Sequence, residues 1–513
     1  MVAFTLTDTS SRSRLGAETL HCAQSDIRTP RYDRAQTTPG IVHLGLGAFH
    51  RAHQAVFVDD CLVAGDRSWA IIAASLRSAT QHDALHPQDG LYSFVVREND
   101  REEVRVIGAI TRTLVAPRNP AELITAIADP HTRLVTLTIT EKGYCCDLPT
   151  SSLRVGDADI QHDIANPATP RSALGFLAAA LRDRMRAKTA PPTLLSCDNL
   201  PNNGALLRKL LIEFASLQDA ALARFIDSEV ATPSCMVDRI VPATTPEDRE
   251  RVSNRLGLCD EGVVVSEPFY QWVIEDHFPT GRPEFERSGI VFVKDVAPFE
   301  QMKLRLLNGA HSAIAAIGRT SGFATVADAI LQPEIVAFIK AYWVEVAQTL
   351  TQQSLVPDYT RQLLLRFSNK ALHHKTAQIA TDGSQKVPQR MLAPLHDLRA
   401  RGRPAPCLVF AIAAWLRSCE GVDELGQPMP LNDPVLTRWT LRPTGNADSQ
   451  TVVAAYLRDS SVFDPSLASD ESFARTLIEA LSAIRAKGVL TALQKFLNSS
   501  ADNASTIKPR VQS

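Results

Sequence analysis

Between residues 38 and about 296 the chain alternates short apolar runs with amphipathic helical segments, and from about residue 297 onward almost every periodic segment is helical. Parallel strands need crossover connections long enough to hold a helix, so this alternation builds a largely parallel sheet with helices on both faces. "GIVHL", "WAIIAASL", "RLVTLTIT", "TLLSCDNL" and "CMVDRIVP" read as strands of it, continuously apolar because both faces are covered. "LYSFVV" and "EVRVIGAI" read as two more, joined by a turn at "RENDRE". The later segments, among them "PEIVAFIKAYWVEVAQTL" and "CLVFAIAAWLRSC", carry helical periodicity alone. The expected organisation is a polar extension over residues 1–37 wrapped on the surface, an α/β domain over 38–293 and a mainly α-helical domain over 294–513.

Composition narrows the partners. Of 513 residues 45% are hydrophobic and 21% charged, the makeup of an ordinary globular protein. A formal net charge of −2 without long single-sign runs points away from nucleic acid and anionic membrane surfaces, and towards a small molecule. The N-terminus lacks a basic region followed by an apolar stretch, and no run of about 18 apolar residues spans a bilayer, so a cytoplasmic protein is expected. Nine cysteines, an odd number without a CxxC pair, read as free thiols. A monomer or small homo-oligomer fits this makeup.

"HLGLGAFHRAH" places Gly45 and Gly47 between a strand and a helix start, where backbone without Cβ admits a pyrophosphate. The third position of GxGxxG is His50, so a merely tight turn is the competing reading. The acid that binds ribose hydroxyls at the end of the second strand is also missing, with Arg77, Ser78 and Thr80 there instead, which leaves NAD against NADP open. Thr140 with Glu141, Asp198 with Asn199, and Asp238 with Arg239 each follow an apolar run, near the carboxyl edge where open α/β sheets bind ligands. Singly such groups cap helices; three beside a GxG turn point to a site. His43, His50 and His53 are separated by strand, turn and helix with no cysteine cluster, so no metal site is expected.

In "KLRLLNGAHS" Lys303, Asn308 and His311 interrupt an apolar run. At about 100° per residue, with Lys303 at about 0°, Glu300 falls near 60°, His311 near 80° and Asn308 near 140°. The competing reading is a solvated face whose other side, Leu304, Leu307, Ala310 and Ile314, packs on a core.

"GLGAFHRAHQA", "TITEKGYC", "SCDNLPNNG", "MVDRIVPATTPE", "EPFYQWVIEDHFPTGRPEFE", "KLRLLNGAHS", "RFSN" and "DGSQKVPQR", in this order, resemble the signature blocks of the mannitol dehydrogenase family and its uronate-reducing relatives. The resemblance implies a Rossmann-like domain holding NAD, with NADP not excluded, and a helical domain supplying a zinc-independent proton transfer. Carried over residue by residue, Lys303 is the general acid–base, Asn308 and His311 hold the developing alkoxide, and Glu300 passes the proton towards solvent. Gly45, Gly47, Phe49, Thr140, Glu141, Asn199 and Asp238 would bind cofactor. Asn199, Asp238 and Lys386, with Gln378, His374 and Lys375, would meet a sugar acid or polyol.

Proton transfer at the oxygen as hydride leaves or joins carbon is what secondary-alcohol oxidation requires. Lys303 meets that need once desolvation and a neighbouring positive ring lower its pKa from about 10.4. The family's polyol enzymes resemble one another in an arginine where this chain has Gln378, whereas uronate-reducing members resemble this chain there and in "EKGYC". D-mannonate and D-fructuronate are therefore the expected pair, with mannitol and fructose as alternative, to which "DNLPNNG" leans. A solvated helix end accounts for His374 and Lys375 almost as well. A catalytically silent dinucleotide-binding sensor is the alternative of another class.

Overall fold

The computed structural model describes residues 12–147, 150–430, 432–438, 447–458 and 462–506. They fall into two compact units, Met1–Ala297 and Pro298–Ser513.

The strands of the first unit are β1 (Pro39–Leu44), β2 (Ala70–Ser75), β3 (Tyr92–Glu98), β4 (Arg101–Ile107), β5 (Ile110–Val115), β6 (Leu134–Leu137), β7 (Cys146–Asp147), β8 (Ser152–Leu153), β9 (Thr193–Ser196), β10 (Cys235–Asp238), β11 (Val264–Ser266), β12 (Gln271–Glu275) and β13 (Val291–Val293). A parallel five-stranded sheet in the order β5-β2-β1-β6-β9 forms its centre. The period of two along each strand divides the core. Val42, Leu44, Val135 and Leu137 enter a cluster with Phe176, Leu207 and Phe214 of the helices Ala173–Ala187 and Asn203–Ser216. Ile41, Ile71, Leu134 and Leu195 enter another with Phe57 and Leu62 of the helix Gln54–Val63. The strand order reverses between β1 and β6, and there the carboxyl ends part to leave a crevice.

Three readings of the sequence need correction. "CMVDRIVP" becomes β10, but β10 pairs antiparallel with β12 and belongs to a separate sheet, β10-β12-β13. "EVRVIGAI" splits at Gly108 into β4, hairpin partner of β3, and β5, which crosses into the parallel sheet beside β2. A Cβ at Gly108 would lie 2.7 Å from Pro30, so the extension passes directly over that break. The extension is also more than a surface wrap: over its described residues Leu15 and Ile27 are buried in a cluster with Val104 and Val265, and Leu15 N–H bonds to Cys259 O at 2.9 Å.

The second unit is helical. The helix Pro406–Ser418 is buried over all residues from Cys407 to Ser418 and packs between the helices Gly309–Thr320 and Glu471–Lys487, the arrangement expected of a helix apolar all round. Its N-terminus begins with Pro406 and has no cap from its own N-cap residue, Ala405. Glu345, on the helix Pro333–Ala347, supplies the cap by accepting the N–H groups of Cys407 and Leu408, each at 2.8 Å.

Burial outweighs those two hydrogen bonds and pushes the Glu345 carboxyl up to about 7 from an ordinary 4.5. Between those values the folded chain holds more protons than the unfolded one, so this group's contribution to stability falls as pH rises through that window. Glu345→Gln loses an acceptor but removes the titration. Its deficit in unfolding free energy by urea titration relative to wild type should shrink from pH 4.5 to 7, by up to about 3 kcal/mol at roughly 1.4 kcal/mol per pKa unit. A deficit independent of pH would assign the shift elsewhere.

Candidate functional site

In the first unit the crevice at the strand reversal is built on backbone. Gly45 takes φ +104°, and a Cβ there would stand 2.0 Å from Thr138 O, so β1 and the loop after β6 approach as only glycine allows. Gly47 differs: its φ is −91° and a Cβ would find no protein atom nearer than Gly45 O at 3.8 Å. Neither conformation nor packing requires glycine at 47, and the open space in front of it fits a ligand's phosphate. A cavity of about 260 Å³ lies here, lined by both glycines, by Arg77 and Ser78 after β2, and by Thr138 and Thr140 after β6.

His43, which the sequence suggested only as a metal ligand to reject, fixes this turn. Its Nε2 lies 2.9 Å from Gly45 O and from Thr138 Oγ1, and its Nδ1 lies 2.7 Å from Thr136 Oγ1. Burial pushes its pKa down to about 3, so it stays neutral, with Nε2–H donating and Nδ1 accepting. The His50 ring stacks on His43, centroids 3.3 Å apart and 8° from parallel, so the two do not aim nitrogens at one point. Among the described residues no group of three His, Cys, Asp or Glu side chains is placed to hold a metal ion. The helix that starts at the turn stops at Ala52 and a second starts at Gln54, because His53 departs from helical backbone and is buried against Phe49, Phe57 and Trp272.

Thr140 takes φ +63°, uncommon for a β-branched residue. Asp198 holds it there: its carboxylate accepts Ile139 N–H at 3.0 Å, Thr140 N–H at 2.9 Å and Tyr144 O–H at 2.8 Å. Thr140 and Glu141 are exposed on that loop and Asn199 is exposed after β9, all at the carboxyl edge of the parallel sheet. Asp238 is buried at the end of β10, on the other sheet. Neither Asn199 nor Asp238 caps a helix: Asn202 precedes the helix Asn203–Ser216, and Thr245 caps the helix Pro246–Leu256 through a capping box with Asp248. Asn203 joins the two sheets, donating to Asp198 O and Cys235 O and accepting Cys235 N–H. The sequence named Asp198 only beside Asn199, and passed over Asn203.

In the second unit Lys303 and Asn308 bound a π-helical turn, Lys303–Asn308, that continues into the helix Gly309–Thr320. Bonding from residue i to i+5 brings Asn308 round over Lys303, closer than the α-helical projection put it. The face is not a solvated one: Lys303 is 8% exposed and His311 7%, with Asn308 half-buried. Glu300 is half-exposed one turn earlier on Ala297–Met302.

A second π-helical turn, Pro388–Leu392, packs on the first. The Arg390 guanidinium donates to Asn308 O at 3.4 Å and to Ser312 Oγ at 3.0 Å. The Tyr342 hydroxyl lies 3.4 Å from the carbonyls of Arg305 and Arg390, one in each turn, and Trp343 Nε1–H donates to Leu306 O at 2.9 Å. A Cβ on Gly309 would stand 2.2 Å from the Tyr342 hydroxyl oxygen, which accounts for that glycine.

His311 is pushed well below its ordinary pKa by burial, and further by His374, Arg366 and Arg390 nearby. It is a neutral imidazole whose buried Nε2 has no hydrogen-bond partner among the described residues. The His374 ring meets it edge-on at 5.1 Å, and burial and Arg366 push that histidine to about 4. The structure thus gathers His374 with His311, along with Arg366, which the sequence offered only within "RFSN". Lys386 donates to the carbonyls of Ile379 and Thr381, and Lys375 and Gln378 are exposed at the short helix Thr376–Ala380.

Residues 39–287 match the family model described as the mannitol dehydrogenase Rossmann domain, and residues 295–485 that of the mannitol dehydrogenase C-terminal domain. The D-mannonate oxidoreductase of Escherichia coli (strain K12) is 38% identical over 80% of this chain and 86% of its own. The mannitol 2-dehydrogenase of Cereibacter sphaeroides is 38% identical over 92% of this chain and 99% of its own. The solved mannitol 2-dehydrogenase of Pseudomonas fluorescens, a ternary complex with NAD and D-mannitol, superposes with a TM-score of 0.85 at 36% identity, covering 94% of this chain and 99% of that one.

The two glycines separate fold from ligand. Gly45→Val should destabilise the protein by several kcal/mol, since backbone must move away from Thr138. Gly47→Val should leave the melting temperature within a few degrees while raising the Kd for NADH, followed by fluorescence titration, more than tenfold. Equal loss of stability in both variants would make both glycines structural.

Proposed function

The chain belongs to the mannitol dehydrogenase family, and from that premise we propose that it interconverts D-mannonate and D-fructuronate, with Lys303 as the acid–base group. It is an NAD-dependent oxidoreductase acting on CH–OH groups. The observation that carries the proton-transfer reading is the trio on the π-helical turn and the helix that continues it: buried Lys303, half-buried Asn308 and a buried, neutral His311 whose Nε2 has no hydrogen-bond partner among the described residues.

A dinucleotide held at the turn of Gly45 and Gly47 would supply the hydride acceptor for oxidation of the alcohol carbon and, in reduced form, the hydride donor for reduction of the ketone. The Lys303 amine takes the hydroxyl proton during oxidation and its ammonium returns one during reduction. The Asn308 amide and the His311 imidazole donate to the substrate oxygen as negative charge gathers there, a stabilisation that grows where water is excluded. A neutral His311 suits this role because it does not compete with Lys303 as proton donor. Glu300, half-exposed one turn away, carries the proton between Lys303 and water.

The uronate substrate is favoured by Gln378, by "EKGYC", and by the charge around His311, where Arg366 and Arg390 offset the desolvation of a carboxylate. Asn199, Asp238 and Lys386 are proposed to meet substrate hydroxyls, and exposed Lys375 to attract the carboxylate from the rim.

Lys303→Ala should lower turnover by a factor of about 10² or more, the scale of general acid–base catalysis, with the Kd for NADH nearly unchanged. Near-normal turnover would remove Lys303 from the chemistry. Assayed with NADH, the wild-type protein should show a kcat/KM for fructuronate at least about tenfold above that for fructose, a discrimination of roughly 1.4 kcal/mol. The reverse preference assigns the mannitol–fructose pair instead.

A further inference from the structure

Every charged residue that lines the crevice at the strand reversal is an arginine. Arg77 and Arg171 stand among Ser75, Ser78, Gln81 and the glycine turn, and no carboxylate joins them. Arg77 and Ser78 immediately follow β2, where a dinucleotide's adenosine ribose meets the protein in Rossmann-type sheets. A site restricted to the unphosphorylated ribose places an acid there, because a carboxylate accepts from the 2′- and 3′-hydroxyls and repels a 2′-phosphate. The acid present nearby, Asp159, does not line the cavity. Instead it pairs with the Arg77 guanidinium at 2.6 Å and anchors a side chain that is otherwise 67% exposed. The Ser78 hydroxyl accepts Thr80 N–H at 3.2 Å, which leaves its own hydrogen to donate to Thr80 Oγ1, 2.8 Å away, or to a ligand oxygen.

We propose that this crevice also takes the 2′-phosphorylated dinucleotide, with Arg77 and Ser78 holding the 2′-phosphate, so that the enzyme uses NADP(H) alongside NAD(H). A guanidinium presents paired N–H donors in a fixed fork that matches phosphate oxygens, and Arg77, which lines the crevice, pairs with Asp159 through one of its terminal nitrogens. Arg171 adds a second positive charge to the lining, which holds no carboxylate among the described residues. The inference rests on the dinucleotide reading of the crevice given above.

Binding, rather than turnover, provides the test. Titrated calorimetrically into the full-length protein, NADPH should bind with a Kd no more than about threefold above that of NADH, and 2′-AMP should bind more tightly than 5′-AMP. Arg77→Asp should lower the ratio Kd(NADH)/Kd(NADPH) at least tenfold and abolish the preference for 2′-AMP. Arg77→Ala should shift the ratio in the same direction by less. Arg77 is mostly exposed, so neither change threatens the fold. A wild-type Kd for NADPH more than tenfold above that for NADH, or a ratio unmoved by Arg77→Asp, overturns the 2′-phosphate subsite and leaves the NAD-dependent reading intact. Failure of both dinucleotides to bind would overturn the dinucleotide reading itself.

Discussion

A buried backbone carbonyl has to find a donor, and both candidate regions are shaped by how this chain meets that need. In the helical unit two π-helical turns widen the hydrogen-bonding register, seen in Gly309 N–H bonding to Leu304 O and Ala393 N–H to Pro388 O. Carbonyls within the turns meet Tyr342 and Trp343 of the helix Pro333–Ala347, and Asn308 O of the first turn meets Arg390 of the second. In the α/β unit Gly45 O, freed by the sharp turn after β1, is met by His43 and Thr138.

Burial also sets the charge states. His43, His50, His311 and His374 all have depressed pKa values with desolvation as the largest cause, so each ring is neutral. At His311 the neighbouring guanidinium groups push the same way. Positive charge around His311 is carried by the Arg366 and Arg390 guanidinium groups. Asp198 shows the opposite compromise: burial raises its pKa, while three donors oppose that rise and make its carboxylate the anchor of the loop after β6.

Much of this was legible in the residues. Strand–helix alternation followed by helices alone gives the two halves, because hydrophobic period is local and survives tertiary packing. The glycines at 45 and 47 and the spacing of Lys303, Asn308 and His311 were visible for the same reason, since backbone approach and helical phase depend on neighbours in sequence. Local pattern failed where a segment's partner lies far along the chain. Nothing in "CMVDRIVP" tells that β12 will pair with it antiparallel, and nothing in "EVRVIGAI" tells that Pro30 will cross at Gly108.

The tertiary structure alone decided which groups at the site are neutral, which are charged and which are held. Asn203 and Glu345 look like ordinary helix residues in sequence, and become a bridge between sheets and a cap for another helix only when Cys235 and Cys407 arrive beside them. His43 reads as a strand residue until β6 brings Thr136 and Thr138 to both its nitrogens. Sequence therefore determined the kinds of element and the chemical groups each one carries, through local periodicity and backbone freedom. Packing determined the π-helical register at Lys303 and the desolvation of His311, because both depend on side chains that reach the site from distant segments.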